Sequence, residues 1–367
     1  MSACSRPKPT FPQSPLNQGI ADLIVRNLPE TEKILPSDYS VPEPKMSRQT
    51  SFAELEYRNK KRLTRREVFL AEMARVIPWT ELLAVIEPHY PKSGRRGRPP
   101  MALSAMLRIY LMQQWFNFSD RQMEDALYEI ESIRRFAGFT TVTAALPDET
   151  TILKFRHRLE EKALTEPLLA AINGHLKAQG MLISKGTMVD ATIIHAPSST
   201  KNVAGERDPD MHQTRKGNQW FFGMKIHVGA DVDSGAAHTV TVTAANTADI
   251  TEMPKLLRQG DQVIFGDAGY ASDEYKRGAR ALGLRWALQD KSKPKGSLGA
   301  GLSSSQRKRN RQQSSIRARV EHLFRVIKRQ FVYTKTRYRG LAKNAAQVNM
   351  LVGLANLYLL RGRLMAS

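Results

Sequence analysis

The chain has 367 residues, 41% of them apolar and 25% charged, which allows an ordinary core and more than one typical domain. The outlier is a formal charge of +21, which favours a polyanionic partner because neutralised phosphates release their condensed counterions. Cys4 is the single cysteine and the longest apolar stretch runs only from Met350 to Leu360, which excludes an intrachain disulfide framework, a cysteine-based zinc site and a helix spanning a bilayer there; a soluble, cytoplasmic protein with no membrane partner is expected.

Residues 1–45 are proline-rich without sustained periodicity, so a disordered extension is expected, with the folded protein beginning at Met46. A basic run, Arg58 to Arg66, leads into an amphipathic helix ending near Val76. The run Gly94 to Pro100 forms a loop that serves either as a phosphate contact or as a solvated linker. From Met101 to Gln179 the apolar spacing is helical, with Ser119 and Asp148 or Thr150 as caps and a short helix over Glu131 to Phe136. These helices make residues 46–180 a helical domain. It is either a helix-turn-helix-like DNA-binding unit or a bundle supporting the other domain.

At Gly186 the texture changes. TMVDATIIHA has the composition of a strand, and the segment from Trp220 to Asn246 reads as two strands joined by a turn at Asp231 to Gly235. TEMPKLLRQG then predicts a helix, QVIFGDAGY a buried strand, SDEYKRGARALG a helix and LRWALQ another strand. A Lys/Ser/Gly-rich loop spans about 291–313, and long helices complete the chain. Three strands, alternating helix and strand, then a basic helix is the order of a ribonuclease H-like α/β core, here assigned to residues 181–345, with a C-terminal helix over 346–367.

Three carboxylates stand out. Asp190 interrupts an apolar strand, and an unpaired buried carboxylate is costly. Asp267 follows Val263-Ile264-Phe265-Gly266, where a strand's carboxyl end meets a loop, the usual ligand position of open α/β sheets. Glu321 is the one acidic residue between Lys291 and Gly340, a stretch with fifteen Lys and Arg. On a helical wheel Ser314, Arg317, Glu321, Arg325 and Lys328 share a face beside an apolar stripe of Ile316, Val320, Leu323, Phe324, Ile327 and Phe331. Converging carboxylates of this kind form a hard-oxygen site suited to Mg²⁺ or Mn²⁺. Two ions would activate the attacking oxygen and stabilise the leaving oxygen of a phosphoryl transfer. Taken singly, each acid also has a plain structural explanation: strand-edge acid, turn residue, salt-bridge partner.

With these residues in view, residues 46–360 resemble the transposases of the IS5 family, bacterial insertion-sequence enzymes of the DDE type. The resemblance is carried by MVDATIIHAPSSTKN, RDPDMHQTRKGNQWFFGMKIHVG, IFGDAGY and SIRARVEHLFRVIKRQF. The last segment fits a pattern of Tyr, two residues, Arg, three residues, Glu, six residues, Lys: Arg317, Glu321 and Lys328 fill their places, while Ser314 stands where the pattern has Tyr. The resemblance implies a ribonuclease H-like core in which Asp190, Asp267 and Glu321 bind divalent metal, and a bacterial protein found on the nucleoid when bound. It also implies cleavage at the element's terminal inverted repeats, joining of the freed 3′-hydroxyl to target DNA, and a homodimer or higher assembly on DNA. Arg317 and Lys328 would hold phosphates or developing charge; Arg325 and Lys225, the latter on the strand beside that of Asp190, are further DNA-binding candidates.

Other residues are set lower. His195, His212 and His227 lack a tight zinc spacing. Asp231 and Asp233 belong to a turn, Asp208 and Asp210 to the surface, and Glu124, Asp125, Glu129 and Glu131 to a solvated helix face. Trp220 is expected as a core anchor, with stacking on DNA beside Lys216 as its alternative. Two other functions compete with transposition: a structure-specific nuclease on the same fold, and a domesticated, catalytically silent DNA-binding protein.

Overall fold

The computed structural model describes residues 61–92, 99–140, 144–203, 205–290 and 301–366. The expected extension 1–45, the start at Met46 and most of the Gly94 to Pro100 loop lie outside them. The first helix, α1 (Arg65–Val76), opens with a reciprocal cap: the Thr64 hydroxyl accepts from the Glu67 N–H, and the Glu67 carboxylate accepts from the Thr64 N–H. There follow α2 (Trp79–Ile86), α3 (Leu103–Phe116), α4 (Asp120–Glu129), α5 (Glu131–Phe136), α6 (Glu149–Glu161) and α7 (Thr165–Ala178). Ser119 and Asp148 cap α4 and α6 by accepting from backbone N–H groups of the first turn. Glu124 reaches across to accept from the Glu149 N–H, so that acid has a structural partner.

The strands then come in the order expected, with one addition. They are β1 (Gly186–His195), β2 (His212–Lys216), β3 (Gln219–Asp231) and β4 (Ala237–Ala244), then α8 (Asp249–Glu252), β5 (Val263–Gly266), α9 (Asp273–Ala281) and β6 (Arg285–Leu288). The sheet runs β2-β3-β1-β5-β6, with β4 also paired to β3. β1, β3 and β4 are antiparallel neighbours, whereas β5 and β6 run parallel to β1. The extra strand is β2. Its sequence, HQTRK, has no apolar alternation because it forms the outer half of a hairpin with β3.

Two long helices close the structure. α10 (Ser304–Arg325) passes into a π-helical turn, Val326–Gln330. It starts about ten residues earlier than the expected loop allowed, because Ser303 and Gln306 form a capping box. The C-terminal helix, α11, spans Leu341–Ala366 rather than starting at 346. Its first turn is held by Asp208 and Asp210, which accept from the N–H groups of Gly340 and Leu341. These two acids lie at the surface as expected, Asp210 exposed and Asp208 partly so, and there they also cap the helix.

α11 is buried on all sides through its middle, from Val348 to Leu357, as a helix passing through a core must be. It packs on α7, β4, α1, α10 and α3, and one hydrophobic cluster joins the helical layer to the sheet. At Gly353 a Cβ atom would lie 2.8 Å from Ile172 Cδ1, so α7 crosses closely there and a larger residue would make the Ile172 side chain shift. Asn356, the polar break in the apolar stretch, is fully buried. Its amide accepts from the Ala237 N–H and donates to the Ala237 carbonyl, satisfying the backbone of β4. No described helix is long and apolar enough to cross a membrane.

Candidate active site

The pairing of β1 with β5 sets the site. Gly186, Thr187 and Met188 stand opposite Val263, Ile264 and Phe265. The ladder ends there, and two residues further on Asp190 lies in β1 while Asp267 is the first residue past β5, its φ and ψ still extended. Residues two apart on extended backbone point to the same face, so both carboxylates share the face of Met188 and Phe265. That face is covered by α10 and the π-helical turn after it: Val320 and Leu323 of the helix and Ile327 of the turn are fully buried in one core with Met188, Ile194 and Phe265.

From α10, Arg317 reaches the site. Its Nη2 donates to Asp190 Oδ2 at 3.3 Å, and its Nη1 donates to Gln289 Oε1 at 3.4 Å, just past β6. Gln289 Nε2 in turn donates to the Ser314 hydroxyl at 2.6 Å. The residue occupying the tyrosine place of the pattern is thus linked to Asp190 through Gln289 and Arg317. Sequence reasoning did not single out Gln289; it carries no motif, and its partners come from another helix.

Asp190 Oδ1 accepts from the Ala191 N–H at 2.8 Å. Burial nevertheless pushes its carboxyl above the usual carboxylate range, and the nearby charge of Asp267 adds to this, while Arg317 pulls the other way. Asp267 Oδ1 accepts from the Gly269 N–H at 2.8 Å, fixing the turn after β5. Tyr270 closes the inner side. Its hydroxyl is buried without a hydrogen-bond partner, and burial, then the charges of Asp249, Asp190 and Asp267, raise its pKa. Arg317 Nε is likewise buried and unpartnered.

The other candidates stand apart from this pair. Glu321 is exposed, one turn beyond Arg317. Among the described residues no group of three or more His, Cys, Asp or Glu side chains is arranged to hold a metal, so Asp190 and Asp267 are brought together and Glu321 is not joined to them. Arg325 is exposed. The Lys328 ammonium donates to the Ile193 carbonyl at 2.8 Å; burial and the neighbouring Lys216 lower its pKa.

Lys225 lies on the strand beside that of Asp190, as expected. It pairs with Ile193 across β1 and β3, which puts it on the opposite face of the sheet from Asp190. There its side chain is largely enclosed, the ammonium donating to the Thr247 carbonyl at 2.7 Å and pairing with Asp249 at 2.9 Å. His227, buried on the same face, is depressed to about 4 by burial against the opposing pull of Asp249. Asp231 is the structural turn residue expected: it accepts from the N–H groups of Ser184, Asp233 and Ser234. Trp220 is not a core anchor, being 64% exposed.

Residues 183–357 match the family model described as a transposase DDE domain. Residues 57–158, covering α1 to most of α6, match a second family model, described as a transposase domain (DUF772). Among solved structures, a cryo-EM structure of the piggyBac transposase synaptic complex with hairpin DNA is similar at a TM-score of 0.41 and 10% identity, over 81% of this chain and 73% of that chain. The stretch matched by the transposase DDE model runs from the residues before β1 into α11 and so contains Asp190, Asp267, Arg317 and Glu321.

Proposed function

We propose that this chain is a DDE transposase of the IS5 type, with a ribonuclease H-like core that cuts DNA at element ends and joins the freed strand to target DNA. The observation that carries this is the pair Asp190 in β1 and Asp267 just past the end of the neighbouring parallel strand β5, near enough for their charges to interact, with Arg317 of a basic helix on Asp190. Two carboxylates so close are unfavourable without a counter-charge. The Tyr270 hydroxyl and Arg317 Nε beside them are buried without a hydrogen-bond partner, and the guanidinium N–H suits a phosphate oxygen. The two carboxylates suit a hard divalent cation, Mg²⁺ or Mn²⁺, held by Asp190 and Asp267; Glu321, exposed one turn beyond Arg317, would have to swing in from α10 to serve as the third carboxylate. Such ions, when bound, supply activation of the attacking oxygen and stabilisation of the leaving one.

The chain's own groups do the rest. Asp190 and Asp267 fix where the scissile phosphate lies against the sheet. Arg317 neutralises Asp190 in the free protein and is placed to meet phosphate oxygens when DNA enters. In the first step water attacks phosphorus and the strand leaves as a free 3′-hydroxyl. In the second that hydroxyl attacks a phosphodiester of the target, exchanging one P–O bond for another. Acting on two ends at once favours a homodimer or larger assembly on DNA, and the helical domain 46–180 supplies further DNA contacts.

The test uses purified chain, Mg²⁺ and DNA bearing its element's terminal repeats. Wild type is expected to nick and join. Asp267→Asn and Glu321→Gln are expected to bind DNA and do neither. Equal cleavage by Asp267→Asn would overturn the assignment of the site, and cleavage without joining would make the chain a nuclease.

A further inference from the structure

The β2–β3 hairpin extends the sheet well past the site. Lys216 pairs with Gln219 across a two-residue turn, Gly217–Asn218, in which Gly217 takes a φ of 61°. Glycine at the first central position suits the tight turns whose twist matches a hairpin. Arg215 Nε donates to the Gly217 carbonyl at 3.0 Å, which folds its guanidinium over the turn. The hairpin's base is secured: the Phe221 ring lies 5.2 Å from that of His195, the Arg207 guanidinium covers Phe222, and the Ala196 N–H donates to the Phe222 carbonyl. At Gly223 a Cβ would lie 2.0 Å from the Ile194 carbonyl oxygen, so β1 and β3 close tightly there.

On this anchored arm Trp220 stands 64% exposed, directly across from Arg215. An indole left in water at the tip of a secured hairpin lacks an apolar reason within the fold. Its surroundings are basic: no acidic residue occurs between Asp210 and Asp231. Lys216 adds its charge to that of Lys328 in the turn after α10 and helps lower the Lys328 pKa.

The register fixes where this tip lies. Asp190 is level with Val228, and Trp220 is eight residues before Val228 on β3. An even offset keeps Trp220 on the sheet face of Asp190 and Asp267. Measured along the strand the separation is about 26 Å, the rise of about eight base pairs.

We propose that the β2–β3 hairpin is a second DNA contact, in which Trp220 stacks on a base face and Arg215 and Lys216 take adjoining phosphates about eight base pairs from the reacting phosphodiester. The inference rests on DNA being the substrate of the Asp190–Asp267 site. Stacking on an aromatic side chain is available to every base and gives affinity without sequence readout. Two sources can present a base face: an unpaired base, or a base step opened in a duplex by the indole as a wedge.

The probe is a fluorescein-labelled duplex about two helical turns long, either fully paired or with a short central mismatch, and affinity is read by anisotropy for wild type, Trp220→Ala and Trp220→Phe. Trp220→Ala is expected to bind at least about fivefold more weakly, with Trp220→Phe recovering most of the loss and melting temperatures unchanged. Indole quenching by DNA, taken as wild type minus Trp220→Phe, is expected to be clear. A loss confined to the mismatched duplex identifies an unpaired base; a loss on both identifies the wedge. Unchanged affinity in Trp220→Ala overturns the inference. So does a change of oligomeric state with DNA affinity intact, which would make the indole a contact between copies. Asp190→Asn is measured alongside: if it cuts as well as wild type, the catalytic assignment fails, and the affinity comparison still decides the hairpin.

Discussion

Arg317 and Asp190, 127 residues apart in the chain, meet at 3.3 Å, so α10 answers the buried aspartate with a cation and not with its lone carboxylate. Both side chains are about one-seventh exposed, enclosed enough for the partner to matter. Removing the cation alone leaves a carboxylate poorly solvated; removing both charges does not. Arg317→Ala is therefore expected to destabilise the fold by about 2 kcal/mol, below the range for fully buried pairs. Adding Asp190→Asn should recover much of the loss. Urea unfolding of the four proteins in a double-mutant cycle checks this, and additive effects would show that the pair is not coupled.

The same aspartate sets a pH dependence. Its folded-state pKa lies above the ordinary 3.8, so the folded protein holds that proton more tightly than the unfolded chain. The ionised form thus opposes folding, an effect that is absent at pH below 3.8, grows as pH rises through the folded pKa, and is complete above it. Asp190→Asn should raise the melting temperature at neutral pH, with the gain shrinking toward zero near pH 4. A gain that is constant with pH would count against the carboxyl as its source.

Divalent cation should act on stability as well as on chemistry. A ligand that binds only the folded state stabilises it by mass action. Mg²⁺ or Mn²⁺ at millimolar concentration should raise the wild-type melting temperature, and this increment should vanish in Asp190→Asn and Asp267→Asn. Persistence of the full increment in both variants would place the cation elsewhere.

Asp231 offers a contrast, as an acid whose work is holding the fold. It is buried and accepts from Ser184, Asp233 and Ser234, with Arg258 Nη1 at 3.5 Å. Burial works against its charge, yet the bonds from Ser234 and Ser184 and the charge of Arg258 hold its carboxyl below the usual range. Asp231→Ala should cost about 3–5 kcal/mol, measured by denaturant unfolding, and Asp231→Asn less. Its contribution is present above the unfolded pKa and is lost as pH falls through the folded one.

Val332 is half exposed with a φ of 56°, a conformation that β-branched side chains resist. Val332→Gly should raise stability by about 1 kcal/mol, because little packing is lost and the backbone conformation becomes ordinary. Thermal unfolding checks the sign; a drop would mean that the side chain contributes more contact than its exposure suggests.

What could be seen in the sequence was local. Asp190 and Asp267 stood out because each breaks or ends an apolar run, and the stripe of α10 was visible because helical periodicity is written within a few turns. The caps at Ser119 and Asp148 depend on neighbours three residues away. What depended on distant pairing was not visible. Strand alternation showed that Lys225 and Met224 face opposite ways, but the face shared with Asp190 is set by the register of β3 on β1. Asp208 and Asp210 meet their N–H partners 132 and 131 residues later. β2 is polar at every position, and only its partner strand makes it a strand, which is also why Trp220 was assigned to the core.

The central passage of α11 has a consequence for synthesis. Every element it packs against precedes it in the chain, so while the ribosome is still making residues before 341 the sheet and the helical layer each lack their shared filling. The nascent protein can form its local helices but cannot close its interior until α11 has emerged. A late frameshift would therefore remove far more than one helix: Gly353 and Asn356 would be lost from the middle of the molecule, and the site under α10 would lose its support with them.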